Sequence, residues 1–234
     1  EHPWARDQER DLRRTLYQWR HLPGDMIVND WLACPLAIHN TEATEYRYQA
    51  MRAVYDGIMP VRRVSQTHIW FTPWDYLIRW WGVQEAMLDL IQRPDMVHAA
   101  VERMVDAWMV ELDQFTAQNL LSLDNDNTRV GSGGYGYTAQ LPGGDYDPGH
   151  VKPHNMWGCS NAQAFSEVSP QMHWEFAVEH DLRWLKRFGL TYYGCCEPLH
   201  NKIDLLRRIP NLRKISASPW CDTRRFVEQA GDDY

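Results

Sequence analysis

The stretch Leu190-Thr191-Tyr192-Tyr193-Gly194-Cys195-Cys196-Glu197-Pro198 decides the fold. Four residues that suit a pleated strand run into a glycine, then two thiols and a carboxylate, then a proline of the kind that opens a helix. Upstream, Ser169-Pro170 reads as N-cap and first helical residue, and Trp174, Val178, Leu182 and Leu185 recur at helical spacing until Gly189. Downstream, Pro198 predicts a helix carrying Leu199, Ile203 and Leu206. Pro210 ends it before a strand over Leu212 to Ser216, and Asp222 caps a last helix with Phe226 and Val227. Earlier, Pro94 to Gln118 is a helix with Val97, Val101, Met104, Val105, Trp108, Leu112 and Phe115 on one stripe, and Leu120 to Leu123 is a short apolar strand after it.

Strand and helix therefore alternate between residues 120 and 230, the pattern of βα units and a parallel sheet. A closed barrel and an open doubly wound sheet both fit. Either one gathers the loops that follow its strands at one edge. Those loops are Asp124 to Asn127, Cys195 to Glu197 and Ser216 to Cys221. Farther from this region the reading is coarser. Asp7 to His21 is a helix ended by Pro23-Gly24, and Met26 to Val28 is strand-like. Residues 33 to 72, interrupted by Pro35 and Pro60, follow neither period. The first residues, Glu1-His2-Pro3-Trp4, read as an interior position of a longer chain.

Composition narrows the function. The net charge is −7 over 234 residues, and the 24 Lys and Arg are dispersed, which argues against a nucleic-acid partner. No apolar run approaches the roughly 20 residues that span a bilayer. Five cysteines, two of them adjacent, do not make a secreted disulfide framework, so a cytoplasmic protein with reduced thiols is expected.

Cys195, Cys196, Glu197 and His200 form the sharpest constellation, because thiolate, carboxylate and imidazole are the ligand types that zinc takes. A helix start at Pro198 would also favour thiolate. The structural alternative makes the cysteines small apolar packers and Glu197 a first-turn helix charge. Asp124 and Asn125, at a strand end, are candidates for acid-base work and for orienting a substrate; as turn formers, Asp126 and Asn127 suit a surface loop. His154 is a candidate proton shuttle, and Trp157 and Tyr135 are candidate substrate contacts. Cys159 and Cys221 either complete a metal site from other loops or are inert thiols. The glycines at 131, 133, 134 and 136 lack the Lys-Ser/Thr ending of a phosphate loop and read as a flexible loop.

Tyr192 to His200, Ile209-Pro210-Asn211-Leu212-Arg213-Lys214-Ile215-Ser216, Ser218-Pro219-Trp220 and Val168 to Gly189 resemble bacterial proteins of the uroporphyrinogen decarboxylase-like superfamily. The resemblance implies an α/β protein, with residues 1–234 a single (β/α)8 TIM barrel lacking its N-terminal part. It also implies one of that superfamily's two chemistries, metal-free decarboxylation or zinc-dependent methyl transfer to a corrinoid protein or a thiol. In the methyltransferases a His-x-Cys pair ligates zinc; here Cys196 matches the Cys, whereas Gly194 stands where the His would be. The loops offer carboxylates and thiols rather than the cations a porphyrin needs. The expectation is therefore a zinc-assisted methyltransferase acting on a small methoxylated aromatic or methylamine-like donor, for which Trp70, Phe71, Trp74 and Tyr135 supply aromatic walls. A metal-free lyase using Asp124 and a non-catalytic binding barrel are the alternatives.

Overall fold

The computed structural model describes residues 3–21, 32–35 and 41–234. The strand-like Met26 to Val28 lies outside the described residues. Two compact units divide the chain, Glu1–Arg63 and Val64–Tyr234.

In the first unit, α1 (Pro3–His21) is followed by β1 (Leu32–Pro35), α2 (Thr41–Tyr55) and β2 (Val61–Val64), with β1 and β2 paired. Residues 33 to 72 follow no period in the sequence, yet α2 is a regular helix. It buries only Thr44 and Met51, seven residues apart, too narrow a stripe to register as a face. The Arg63 guanidinium sits 4.2 Å from the centre of the Tyr48 ring and pairs with Glu45 at 2.5 Å.

The second unit opens with α3 (Pro73–Trp81), α4 (Val83–Gln92) and α5 (Pro94–Ala117). Val97, Val101, Val105 and Leu112 of α5 are fully buried, the predicted stripe. A hairpin of two short strands, β3 (Arg129–Gly131) and β4 (Gly134–Tyr135), stands where the glycines read as a flexible loop. Then come β5 (Trp157–Ser160), α6 (Pro170–His173), a π-helical turn over Trp174–Val178, α7 (Glu179–Leu185), β6 (Leu190–Tyr193), α8 (Ile203–Leu206), β7 (Leu212–Ile215) and α9 (Thr223–Ala230). Ser169 Oγ accepts from Met172 N at 3.2 Å and Asp222 Oδ1 from Arg225 N at 3.1 Å, so both predicted caps form.

The expected eight-stranded barrel is not what the chain builds. Its only sheet of more than two strands, among the described residues, is β5-β6-β7, in which both pairings are parallel. The reason is local. Leu120 donates its N–H to Phe115 O at 2.8 Å as the end of α5 unwinds, and Leu121 makes an isolated parallel bridge to Gln66 rather than a strand. The N–H of Trp157, first residue of β5, then bonds the Asp124 carboxylate at 3.0 Å. A side chain thus occupies a backbone donor that a neighbouring strand would have used.

Strand alternation gives the three-stranded sheet two faces. Gly158, Ser160, Thr191 and Tyr193 face the helices, where Phe71 stacks on Trp184 at 4.7 Å and Trp74 Nε1 donates to Phe176 O at 2.9 Å. Trp157, Cys159, Tyr192 and Lys214 lie on the other face, with Val130 and Leu141 packed on Trp157.

A buried carboxyl on the helix side has a measurable consequence. Asp181 has no exposure, accepts from Ser160 Oγ at 2.6 Å and leaves Oδ1 without a partner. Burial, against the Ser160 hydrogen bond, pushes its pKa from 3.8 up to about 8. The folded protein therefore holds a proton that the unfolded chain releases, and stability falls as pH rises from 3.8 through 8. Asp181→Asn is expected to exceed wild type by a few kcal/mol in urea unfolding at pH 8, and the gap is expected to close near pH 4. A gap independent of pH would contradict this assignment.

Candidate functional site

Three residues from three separate segments converge on the face of the sheet away from the helices. The parallel bridge between Gln66 and Leu121 lays the stretch leading to His68 beside the stretch leading to Asp124, and Ser65 N donates to Ser122 Oγ at 3.0 Å. His68 Nδ1 is 3.1 Å from Asp124 Oδ2, and His68 Nε2 is 3.2 Å from the sulfur of Cys159 in β5. Asp124, Cys159 and His68 are 0%, 2% and 5% exposed, so their mutual bonds act in a low-dielectric interior. The sulfur also lies 3.6 Å from Ile69 O. An acid, an imidazole and a thiol in line is the arrangement that activates a nucleophile: the carboxylate orients the ring and the ring manages the thiol's proton.

Burial by itself opposes an imidazolium at His68. The negative charge of Cys159 and the hydrogen bonds to Asp124 and Cys159 outweigh it, and the pKa rises from 6.5 to about 10. These partners favour the protonated ring, and its two nitrogens face the Asp124 carboxylate and the Cys159 sulfur. Burial also raises the Asp124 carboxyl above its usual value, opposed by the hydrogen bonds from His68 and from Trp157 N–H.

Of the predicted site residues, Asp124 is in this cluster and Trp157 adjoins it. Trp157 gives its backbone N–H to Asp124 and its Nε1–H to Gly136 O at 2.8 Å. Asn125 Nδ2 is turned to Leu141 O at 2.9 Å. Tyr135 is exposed and its carbonyl accepts from Lys214 Nζ. His154 pairs with Asp145 at 2.9 Å on the surface, and both side chains are open to solvent. His68 escaped the sequence reading because it sits between Pro60 and Pro73 in the stretch without a period. Its one signal was the run His68-Ile69-Trp70-Phe71, three members of which are buried.

The cysteine pair lies at the strand ends. The two sulfurs are 3.7 Å apart, with Cys196 exposed and Cys195 half-buried. Glu197 is fully buried, and its oxygens accept from Ala162 N at 3.1 Å and Cys195 N at 2.9 Å. It clamps the loops after β5 and β6 together. The expectation that a helix start lowers these thiols fails for Cys195. Residues 198–199 are irregular, 200–202 form a turn and α8 begins only at Ile203, while burial, with Cys196 and Glu197, pushes the Cys195 thiol up to about 11 despite a hydrogen bond to Ser132.

Zinc does not fit these residues as they stand. Both Glu197 oxygens are spent on backbone amides, and His200 Nδ1 accepts from Asp222 N at 3.2 Å with Cys221 Sγ at 3.6 Å. Among the described residues no three His, Cys, Asp or Glu side chains gather as a metal-holding group. Gly194 has φ +101°, and a Cβ there would meet Leu199 Cδ1 at 2.5 Å, so the imidazole of a His-x-Cys pair has no room at this position.

Comparison of the chain with family models, curated proteins and solved structures finds no match. No described helix is long and apolar enough to cross a membrane.

The clamp role of Glu197 separates it from a ligand role. Glu197→Ala strands two buried N–H donors and is expected to cost roughly 2–4 kcal/mol in urea unfolding, whereas His200→Ala is expected to cost under about 1 kcal/mol. Equal, small effects would remove the clamp.

Proposed function

We propose that this protein is a cysteine-dependent transferase in which Cys159 takes a methyl group from a small donor, with His68 as general acid and Asp124 holding the imidazole. The observation that carries the reading is His68 bridging Asp124 and Cys159 at 3.1 and 3.2 Å. The thiolate attacks the donor's methyl carbon and an S–C bond forms. The bond from carbon to the donor heteroatom breaks with its electron pair on the heteroatom, which receives the His68 Nε2 proton. An acceptor thiol would then take the methyl group, its proton returning to the neutral His68 as the Cys159 thiolate leaves; a corrinoid carried by a partner protein would supply the same methyl-accepting chemistry.

Displacement at a methyl carbon suits the surroundings of the sulfur better than acyl transfer does. Its polar neighbours are an imidazole nitrogen and the Ile69 carbonyl oxygen; the first serves a leaving atom, and the second would repel the oxyanion of a tetrahedral intermediate. The metal-free lyase reading needs a free carboxyl at Asp124, yet both oxygens are engaged, by Trp157 N–H and by His68. A reducing, cytoplasmic setting keeps such a thiol available.

Iodoacetamide labelling mapped by peptide mass spectrometry tests the reactive centre. Cys159 is expected to label at least about tenfold faster in wild type than in His68→Asn. Incubation with a methyl aryl ether, a methylammonium or a methyl sulfonium donor is expected to convert Cys159 to its S-methyl form in at least one case. Labelling confined to Cys195, Cys196 and Cys221 would sink the proposal. The His68 charge adds a pH signature. Stabilisation from its raised pKa is complete below 6.5 and lost as pH climbs through about 10, so the urea midpoint of His68→Asn should fall less steeply than wild type across that window.

A further inference from the structure

The strand register sets Cys159, Tyr192 and Lys214 in one row across the sheet, because Cys159 pairs with Tyr192 and Tyr192 with Lys214. At about 4.8 Å per strand the backbone of Lys214 is roughly 10 Å from that of Cys159. The Lys214 side chain leans back toward β5, its ammonium 4.8 Å from the centre of the Trp157 ring, and donates to Tyr135 O. Trp157 is two residues before Cys159 on the same face, about 7 Å away along the strand. The ammonium and the sulfur therefore share one face of the sheet with the Trp157 and Tyr192 side chains.

Lys214 has no carboxylate within salt-bridge distance among the described residues, and neither has Arg213 beside it, whose contacts are Gln140 Oε1 at 3.2 Å and Asp233 O at 3.3 Å. Half-burial and the Arg213 charge lower the Lys214 pKa, as expected of a cation lacking a counter-charge. Arg183 and Arg187 pair with Asp106 and Asp113, each at 2.8 Å, whereas Lys214 meets a ring face and a carbonyl oxygen. A cation left unpaired on the same face as a thiol fits an anion brought by the substrate.

We propose that Lys214, backed by Arg213, is the specificity determinant of the Cys159 centre and that the donor carries a carboxylate or similar anion separated from its reacting carbon by about one aromatic ring. The inference rests on Cys159 being the reactive group. Trp157 and Tyr192 supply flat walls for the ring once the hairpin lifts, since Gly131 packs on the Tyr192 ring and Val130 on Trp157. The β3–β4 hairpin covers the row and is fastened to it by Gly133 N donating to Tyr192 Oη at 3.0 Å and by the bond from Lys214 to Tyr135 O. An anion that captures Lys214 would replace the second of these fastenings, which couples its binding to opening of the cover.

Alkylation rates at Cys159 with two reagents of one shape test this: 4-(bromomethyl)benzoate, an anion, and 4-(bromomethyl)benzamide, which is neutral. The ratio of the two rates cancels any change in the thiol's own reactivity. In wild type the benzoate is expected to react about tenfold faster at low ionic strength, with the preference shrinking in salt. In Lys214→Met the ratio is expected to approach that of a free thiol. Equal rates in wild type, or a preference that survives Lys214→Met, would overturn the role of Lys214 while leaving the reactive thiol in place. No alkylation of Cys159 by either reagent or by iodoacetamide would overturn both proposals at once.

Discussion

A carboxylate with no exposure to water is tolerable only where donors have been built around it, and Asp124 is such a group. One of its oxygens takes the first N–H of β5 and the other takes His68. The first bond ends the sheet on that side, in place of another parallel strand. The second fixes the ring, and through the ring the surroundings of the Cys159 sulfur. With one oxygen unpaired, Asp124 would be a buried carboxyl like Asp181, which favours its protonated form. The Gln66 to Leu121 bridge, which sets the two approaching segments side by side, is what allows both to form together.

The period of two along a strand keeps this cluster apart from a second polar network. Tyr193, beside Tyr192, points the other way, and its hydroxyl is 2.7 Å from His173 Nε2. Lys202 Nζ donates to Phe165 O at 2.7 Å and to His173 Nδ1 at 3.0 Å. Burial, with the Lys202 charge, takes the His173 pKa down to about 3, so the ring is neutral and passes its one N–H to Tyr193. Burial takes Lys202 itself down to about 8, opposed by Glu197 and Glu167. Lys202 and His173 both donate to acceptors from the protein, as suits a network that positions loops. The helix side holds the ends of β5 and β6 in place; the opposite face keeps a thiol and a lysine with no carboxylate partner among the described residues.

The helices that carry a wide apolar stripe or a good cap were legible in the sequence, as α5, the Ser169-capped helix and α9 show. So were β6 and β7, bounded by Gly189, Gly194 and Pro210. The barrel was not, because closure depends on what pairs with β5. That edge is settled by a carboxylate 33 residues upstream, a contact no local period encodes. β5 itself, Trp157-Gly158-Cys159-Ser160, is buried on both faces and so lacks the polar alternation that marks a half-exposed strand. Asp124 could be suspected from its place after an apolar run. His68 and Cys159 could not be joined to it, since the three lie 56 and 35 residues apart and only the fold brings them together.

The environments of the thiols do not follow the density of reactive residue types around them. Cys195 and Cys196 stand next to a carboxylate and a nearby histidine, and sequence alone ranks them first. In the folded chain the carboxylate is turned inward to hold backbone amides, the histidine answers to Asp222, and Cys195 meets a neighbouring thiol and a buried negative charge, all of which disfavour its thiolate. Cys159 stands alone in its segment, yet its sulfur meets an imidazole held in place by a carboxylate. A thiol's reactivity is set by the sign and fixity of the charge facing it. Both are properties of Asp124, His68 and the bridge that aligns them, and they reach the sulfur only once three distant segments have been packed on one face of a three-stranded sheet.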